Sequence, residues 1–174
     1  MTVRLGLLGA GRIGKVHAGA IAANAGATLV AVADAFPDAA KALAASTGAD
    51  VRDADAIMNA SDIDAVLITT PTDLHATMIE QAARAKKAIF CEKPIDLDVT
   101  RVKECLAVVK AEKALLMVGF NRRFDPNFIE VRRQIDEGAI GKVEMVSITS
   151  RDPGPPPADY ISRSGGLFRD MTIH

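Results

Sequence analysis

Three groups of residues in this 174-residue chain have types and spacings suited to chemistry. The first is Gly9-Ala10-Gly11-Arg12-Ile13-Gly14, entered from an apolar run and followed twenty residues after Gly14 by Asp34. Gly9 permits a sharp turn off a strand, Gly11 leaves no side chain between the backbone and a phosphate, and Gly14 lets the next helix lie close to the sheet. The amides where that helix begins suit a pyrophosphate, and the helix dipole favours its charge. Asp34 then stands where a carboxylate accepts hydrogen bonds from two ribose hydroxyls, and Ala35, Phe36 and Pro37 supply no cation for a 2′-phosphate. The pattern is that of a dinucleotide site with a preference for NAD over NADP. The competing role for Asp34 is to cap a helix that opens at Pro37.

The second group is Glu92-Lys93-Pro94, directly after the apolar run Ala88–Cys91. An acid and a cation held by proline at a strand's carboxyl end sit where a parallel sheet places its reacting groups. A surface ion pair explains the dipeptide alone equally well. The third group is Asp170 and His174, four residues apart. If a helix opens at Asp170, the acid and the imidazole share a face, as an oriented general base requires. Taken alone, the pair reads more readily as a capping aspartate and an unrelated histidine.

The elements that must position these groups follow from apolar patterning. Val3–Leu8, Thr28–Ala33, a short segment at Asp50–Arg52, Asp64–Thr69, Ala88–Cys91 and Leu115–Gly119 read as strands. Between them, helices are predicted from Arg12 to about Ala25, with Ile13, Val16, Ala20 and Ile21 as its apolar face, over Asp38–Thr47, Asp53–Ala60 and Asp73–Ala85, and over Asp98–Ala111, where Val99, Val102, Leu106 and Val109 form one face. The strand ending at Thr69 delivers Thr70 and Pro71 to the ligand-binding edge of the sheet. His75 falls in the first turn of the next helix and, taken singly, reads as a surface or capping residue. The fold class is therefore α/β, a doubly wound parallel Rossmann sheet, with a dinucleotide-binding domain over residues 1–120. A second domain begins at residue 121. In it Asp125-Pro126 opens a helix bearing Phe128, Val131 and Ile135, Lys142–Ser150 alternates as one strand of a half-exposed sheet, and Arg151–Pro157 forms a rigid loop.

Composition narrows the function. With 21 Lys and Arg against 22 Asp and Glu, the net charge is −1, and no basic stripe with interleaved aromatics points to nucleic acid. No apolar run approaches the roughly 20 residues of a membrane helix, and the N-terminus lacks the pattern of a signal peptide, so a cytoplasmic location is expected. Cys91 and Cys105 form neither a CxxC pair nor part of a metal-ligand cluster and read as structural thiols.

Taken together, the glycine turn, Thr70-Pro71 with His75, Glu92-Lys93-Pro94, and Gly165-Gly166 with Asp170 and His174 resemble the glucose-fructose oxidoreductase and inositol dehydrogenase family over the whole chain. Within that family, Gly119–Asp125, the Arg151-Asp152-Pro153 loop with Tyr160, and the run Asp170–His174 look most like inositol 2-dehydrogenases. The resemblance implies oxidation of a polyol hydroxyl, most of all that of myo-inositol, by a catalytic Lys93, Asp170 and His174. Lys93 hydrogen-bonds the reacting oxygen, Asp170 orients the imidazole, and His174 takes the proton. Arg122, with Asn121, lines the nicotinamide end and meets polyol hydroxyls. Cofactor contacts fall to the glycine turn, Asp34, Thr70, Pro71, His75, Glu92, Lys93 and Asn121, and no metal is involved. The remaining readings are a dehydrogenase for another sugar or cyclitol and a non-catalytic dinucleotide-binding fragment.

Members of the resembled family continue into an α+β substrate domain with a large, open, mainly antiparallel sheet and assemble as dimers or tetramers. Residues 121–174 would be only its beginning, so these 174 residues are expected to bind NAD but to turn over substrate poorly.

Overall fold

A computed structural model describes residues 2–151, 154–156 and 158–173, which fall into two compact units, Met1–Gly119 and Phe120–His174. In the first unit, six strands, β1 (Val3–Leu8), β2 (Ala27–Ala33), β3 (Asp50–Val51), β4 (Ala65–Ile68), β5 (Ala88–Cys91) and β6 (Leu116–Val118), form one sheet in the order β3-β2-β1-β4-β5-β6. Every pairing is parallel. The order reverses between β1 and β4, and a doubly wound sheet opens its ligand crevice at such a reversal.

Five helices, α1 (Arg12–Ala22), α2 (Pro37–Thr47), α3 (Ala54–Asn59), α4 (Thr72–Arg84) and α5 (Val99–Ala111), connect the strands. Because successive strand residues point to opposite faces, the sheet buries two separate cores. Leu7, Leu29, Val32 and Leu67 pack with Ala18, Ile21, Ala40 and Leu43 of α1 and α2. Leu8, Ala31, Val66, Ile68, Ile89 and Cys91 pack on the other face with Ile57, Ala76, Ile79, Ala83 and Cys105 of α3, α4 and α5. Both thiols are free and buried, and burial pushes Cys105 up to about 11 and Cys91 higher still.

Local chemistry sets the helix ends. The Asp53 and Asp98 carboxylates accept from the amides of Ala56 and Thr100 and so cap α3 and α5. Gly48, with φ +76°, closes α2 in the left-handed region. Two apolar faces differ from the expected ones. On α5, Val99 and Leu106 are exposed, while Cys105 is buried and Val109 packs against the core. On α1, Val16 and Ala20 face solvent, while Gly14, Ala18 and Ile21 are buried. The buried stripe of α1 is narrow and partly built from small residues because that helix lies close to β1 and β2, whereas α5 packs against α4, with the Cys105 thiol on the Ala76 carbonyl.

The second unit opens with a 3-10 turn at Asn121–Phe124 and continues as α6 (Pro126–Asp136), α7 (Ala158–Arg163) and α8 (Gly166–Asp170). Asp125 caps α6 through the amides of Asn127 and Phe128, and Pro126 occupies its first position. The expected strand Lys142–Ser150 is not formed. These residues are exposed and belong to no ladder, and alternation without a partner strand leaves every backbone group to water. Asp170 ends α8 instead of opening a helix, which removes the geometric basis for placing it and His174 on one helical face. His174, Asp152, Pro153 and Pro157 lie outside the described residues.

Candidate functional site

The β1–α1 turn is shaped by what cannot fit there. Gly9 has φ +105°, and a Cβ added to it would lie 2.7 Å from the Thr69 carbonyl oxygen. A Cβ on Gly14 would lie 2.1 Å from the Gly9 carbonyl oxygen. At Gly11, by contrast, an added Cβ meets nothing within 4 Å. Gly11 is thus the glycine that neither the fold's contacts nor its backbone angle demands, and it heads α1 with φ −68° and no side-chain cap. The first-turn amides of an uncapped helix suit an anion.

Asp34 is anchored into this turn. Its Oδ2 accepts from the Ala10 amide at 2.6 Å, and its Oδ1 accepts from the Phe36 amide at 2.8 Å. Each carboxylate oxygen keeps a lone pair for a hydroxyl. The alternative of a helix cap does not hold, since Phe36 occupies the cap position of α2 and the Asp34 carboxylate caps nothing there. Arg12 is exposed and Ile13 half-buried in the first turn of α1.

At the carboxyl ends of β4 and β5, the structure joins residues that the sequence left separate. Thr69 Oγ1 donates to the Gly9 carbonyl at 2.8 Å, tying the β4 end to the glycine turn. Thr70 is half-buried and Pro71 exposed at the mouth of α4. His75 is 2% exposed, so it is neither a surface nor a capping residue. Its Nδ1 lies 2.7 Å from the Pro94 carbonyl oxygen and its Nε2 lies 2.7 Å from that of Thr70.

Glu92 and Lys93 do not form a simple surface pair. Glu92 Oε1 lies 2.8 Å from Nε2 of His17 on α1, and Glu92 Oε2 accepts from the Lys93 amide at 3.3 Å. The His17 ring meets Phe90 edge-on with centroids 4.9 Å apart. Burial raises the Glu92 carboxyl, but the His17 hydrogen bond and charge and the Lys93 amide and charge outweigh it, so the group ends below the usual carboxylate range. A Cβ at Gly119 would come within 3.2 Å of both Glu92 oxygens, so glycine there makes room for the carboxylate. Lys93 itself is half-buried in the turn.

His17 is the site residue that motif reading misses. Its signal is positional: it sits three residues after Gly14 on the same inward stripe as Ala18 and Ile21. In the second unit, Asp170 is 8% exposed and its Oδ1 accepts from the Tyr160 hydroxyl at 2.8 Å. The Arg122 guanidinium lies 5.3 Å from the Phe128 ring centroid, and Asn121 is exposed in the same 3-10 turn. Among the described residues no cluster of His, Cys, Asp or Glu is placed to hold a metal, and no helix is long and apolar enough to cross a membrane.

Comparison with known proteins adds the family. Residues 3–120 match the model of the oxidoreductase family with an NAD-binding Rossmann fold, and residues 128–174 match the GFO/IDH/MocA C-terminal domain. An inositol 2-dehydrogenase of Rhizobium meliloti is 71% identical over all of this chain, which covers 53% of that protein. A putative myo-inositol dehydrogenase from Sinorhizobium meliloti, solved by crystallography, superposes with a TM-score of 0.96 at 70% identity over 99% of this chain and 53% of its own. The Lactobacillus casei scyllo-inositol dehydrogenase, crystallised with NAD(H) and scyllo-inositol, superposes with a TM-score of 0.77 at 34% identity over 81% of this chain and 43% of its own. The chain therefore spans about half the length of the first two of these relatives.

Proposed function

Because the chain belongs to the GFO/IDH/MocA oxidoreductase family, whose first domain is an NAD-binding Rossmann fold, we propose that the protein oxidises a secondary hydroxyl of a cyclic polyol with NAD. Myo-inositol, giving the 2-keto product, is the first substrate to consider, and the inositol dehydrogenases among its relatives support that choice. The observation that carries the reading is the placement of Asp34 and Lys93 at the same edge of the sheet. They follow β2 and β5, three strand steps apart across the reversal point, roughly 14 Å at the usual strand spacing. An extended dinucleotide can span that distance, with its adenosine ribose on Asp34 and its reactive end toward Lys93.

The residues of the turn fit such a ligand. Gly11 leaves open space at an uncapped helix start, and the Asp34 carboxylate is held ready by two backbone amides. Bound NAD supplies the hydride acceptor. Lys93 donates a hydrogen bond to the substrate oxygen and stabilises its developing negative charge. On the family resemblance, and not on helical spacing, His174 takes the hydroxyl proton, and Asp170 orients that imidazole and offsets its charge. Tyr160, by donating to Asp170, keeps that carboxylate in place. Arg122 and Asn121 meet the remaining hydroxyls, because a substrate with little apolar surface must be distinguished by polar groups.

The test is reduction of NAD by the full-length protein with myo-inositol, scyllo-inositol and glucose in parallel. NADH formation fastest with an inositol is expected. A higher rate with glucose would move the assignment to another sugar, and NAD binding without reduction by any polyol would reduce the chain to a binding module.

A further inference from the structure

His75 is buried, and the mechanism proposed above does not use it. It lies in the first turn of α4, and its ring bridges two turns that come from different strand ends. Nδ1 faces the Pro94 carbonyl and Nε2 the Thr70 carbonyl, each at 2.7 Å. A neutral imidazole carries one N–H and satisfies one of these acceptors, and the doubly protonated ring satisfies both. Pro94 is the residue after Lys93 and is itself buried.

On its other side, Lys93 follows Glu92, whose amide donates to the Ile68 carbonyl at 2.9 Å and whose carboxylate meets His17. The backbone that carries the ammonium is therefore tethered immediately before and immediately after Lys93. Among the described residues the rear tether is a single imidazole, and its other ring nitrogen lies 2.7 Å from the Thr70 carbonyl at the end of β4.

We propose that His75 is a positioning residue for Lys93: its Nδ1–H holds the Pro94 carbonyl and so fixes the turn from which the ammonium reaches the reacting oxygen. The proposal rests on the dehydrogenase reading for the role of Lys93, and on geometry alone for the clamp. His75 then serves the cofactor only through the backbone it holds, because both ring nitrogens face protein carbonyls.

Two substitutions separate the clamp from mere core filling. In His75→Asn the side-chain amide nitrogen takes the place of Nδ1 and can still donate to Pro94. In His75→Gln the amide nitrogen takes the place of Nε2 and reaches toward Thr70 instead. Both variants lose volume and ring packing, but they keep opposite halves of the bridge.

In the full-length protein, H75Q is expected to lower kcat by about 10- to 100-fold, the scale of a small misplacement of a reacting group. H75N should retain a kcat about tenfold above that of H75Q, and both should keep the parent's NAD dissociation constant within about threefold. Equal losses in the two variants, the reverse order, or a loss of NAD affinity that matches the loss of kcat would overturn the proposal. If H75Q does not fold, the parent still decides. ¹⁵N spectra of histidine-labelled protein, with the His75 signals assigned by their loss in H75N, should show a protonated Nδ1, and a bare Nδ1 contradicts the clamp. Should the parent oxidise no polyol, the dehydrogenase reading fails, and the Nδ1 signal alone then decides the clamp.

Discussion

Replacing Lys93 by alanine in the full-length protein is expected to lower kcat for polyol oxidation by about 10²–10³-fold, the usual cost of removing one preorganised donor to a developing oxyanion. NAD affinity should stay within about threefold of the parent, since the ribose carboxylate and the pyrophosphate turn belong to β2 and β1–α1. The side chain is half-buried in a turn whose neighbours are independently tethered, so its removal leaves the backbone held and deletes only the ammonium. The fall should therefore appear in kcat and in kcat/KM together, the sign of an interaction made in the transition state. Steady-state kinetics paired with NAD titration reads both quantities. A kcat within about tenfold of the parent takes Lys93 out of the chemistry.

The second large effect contrasts two glycines three residues apart in one turn. Gly14→Ala places a methyl group 2.1 Å from the Gly9 carbonyl oxygen, a backbone atom that cannot rotate away. It is expected to destabilise the protein by about 1–3 kcal/mol or more, as overpacking does, and to weaken NAD binding by shifting α1 from the sheet. Gly11→Ala meets no protein atom within 4 Å, at a φ of −68° that any residue adopts. Its stability without cofactor should equal or slightly exceed the parent's, by up to about 1 kcal/mol from the lost freedom of the unfolded chain, while NAD affinity collapses because the methyl group fills the pyrophosphate cradle. Thermal melts with and without NAD separate the two: G14A melts low in both, and G11A melts normally but gains little from the cofactor. Normal NAD stabilisation in G11A would show that the phosphates lie elsewhere.

The parts of the molecule that sequence reading reaches are those encoded locally. β1 and β5 are found at their full lengths, and the other four strands and α1–α5 within a few residues, because each is an apolar run or stripe closed by its own turn formers, such as Gly48 or the Asp98 cap. The glycine turn is legible for the same reason, and Asp34 because it directly follows the apolar run of β2.

What was not legible depends on distant partners. His17 and Glu92 meet across 75 residues, and only the place of His17 on the buried stripe of α1 hinted at it. His75 reads as a surface residue until Pro94, 19 residues on, brings it a carbonyl. The alternation at Lys142–Ser150 is a statement about a face, and without a paired strand that face does not become a strand. In the same way, the spacing of Asp170 and His174 presumes a helix that ends where it was expected to start.

The most direct test of the dehydrogenase reading follows one atom. The full-length protein is supplied with NAD and myo-inositol bearing deuterium on the carbon that becomes the ketone, and the reduced cofactor is analysed by mass. A single deuterium in each reduced nicotinamide is the predicted result, with the hydroxyl proton lost to solvent. Reduced cofactor free of the label, or ketone formed with no reduction of NAD, contradicts the assignment.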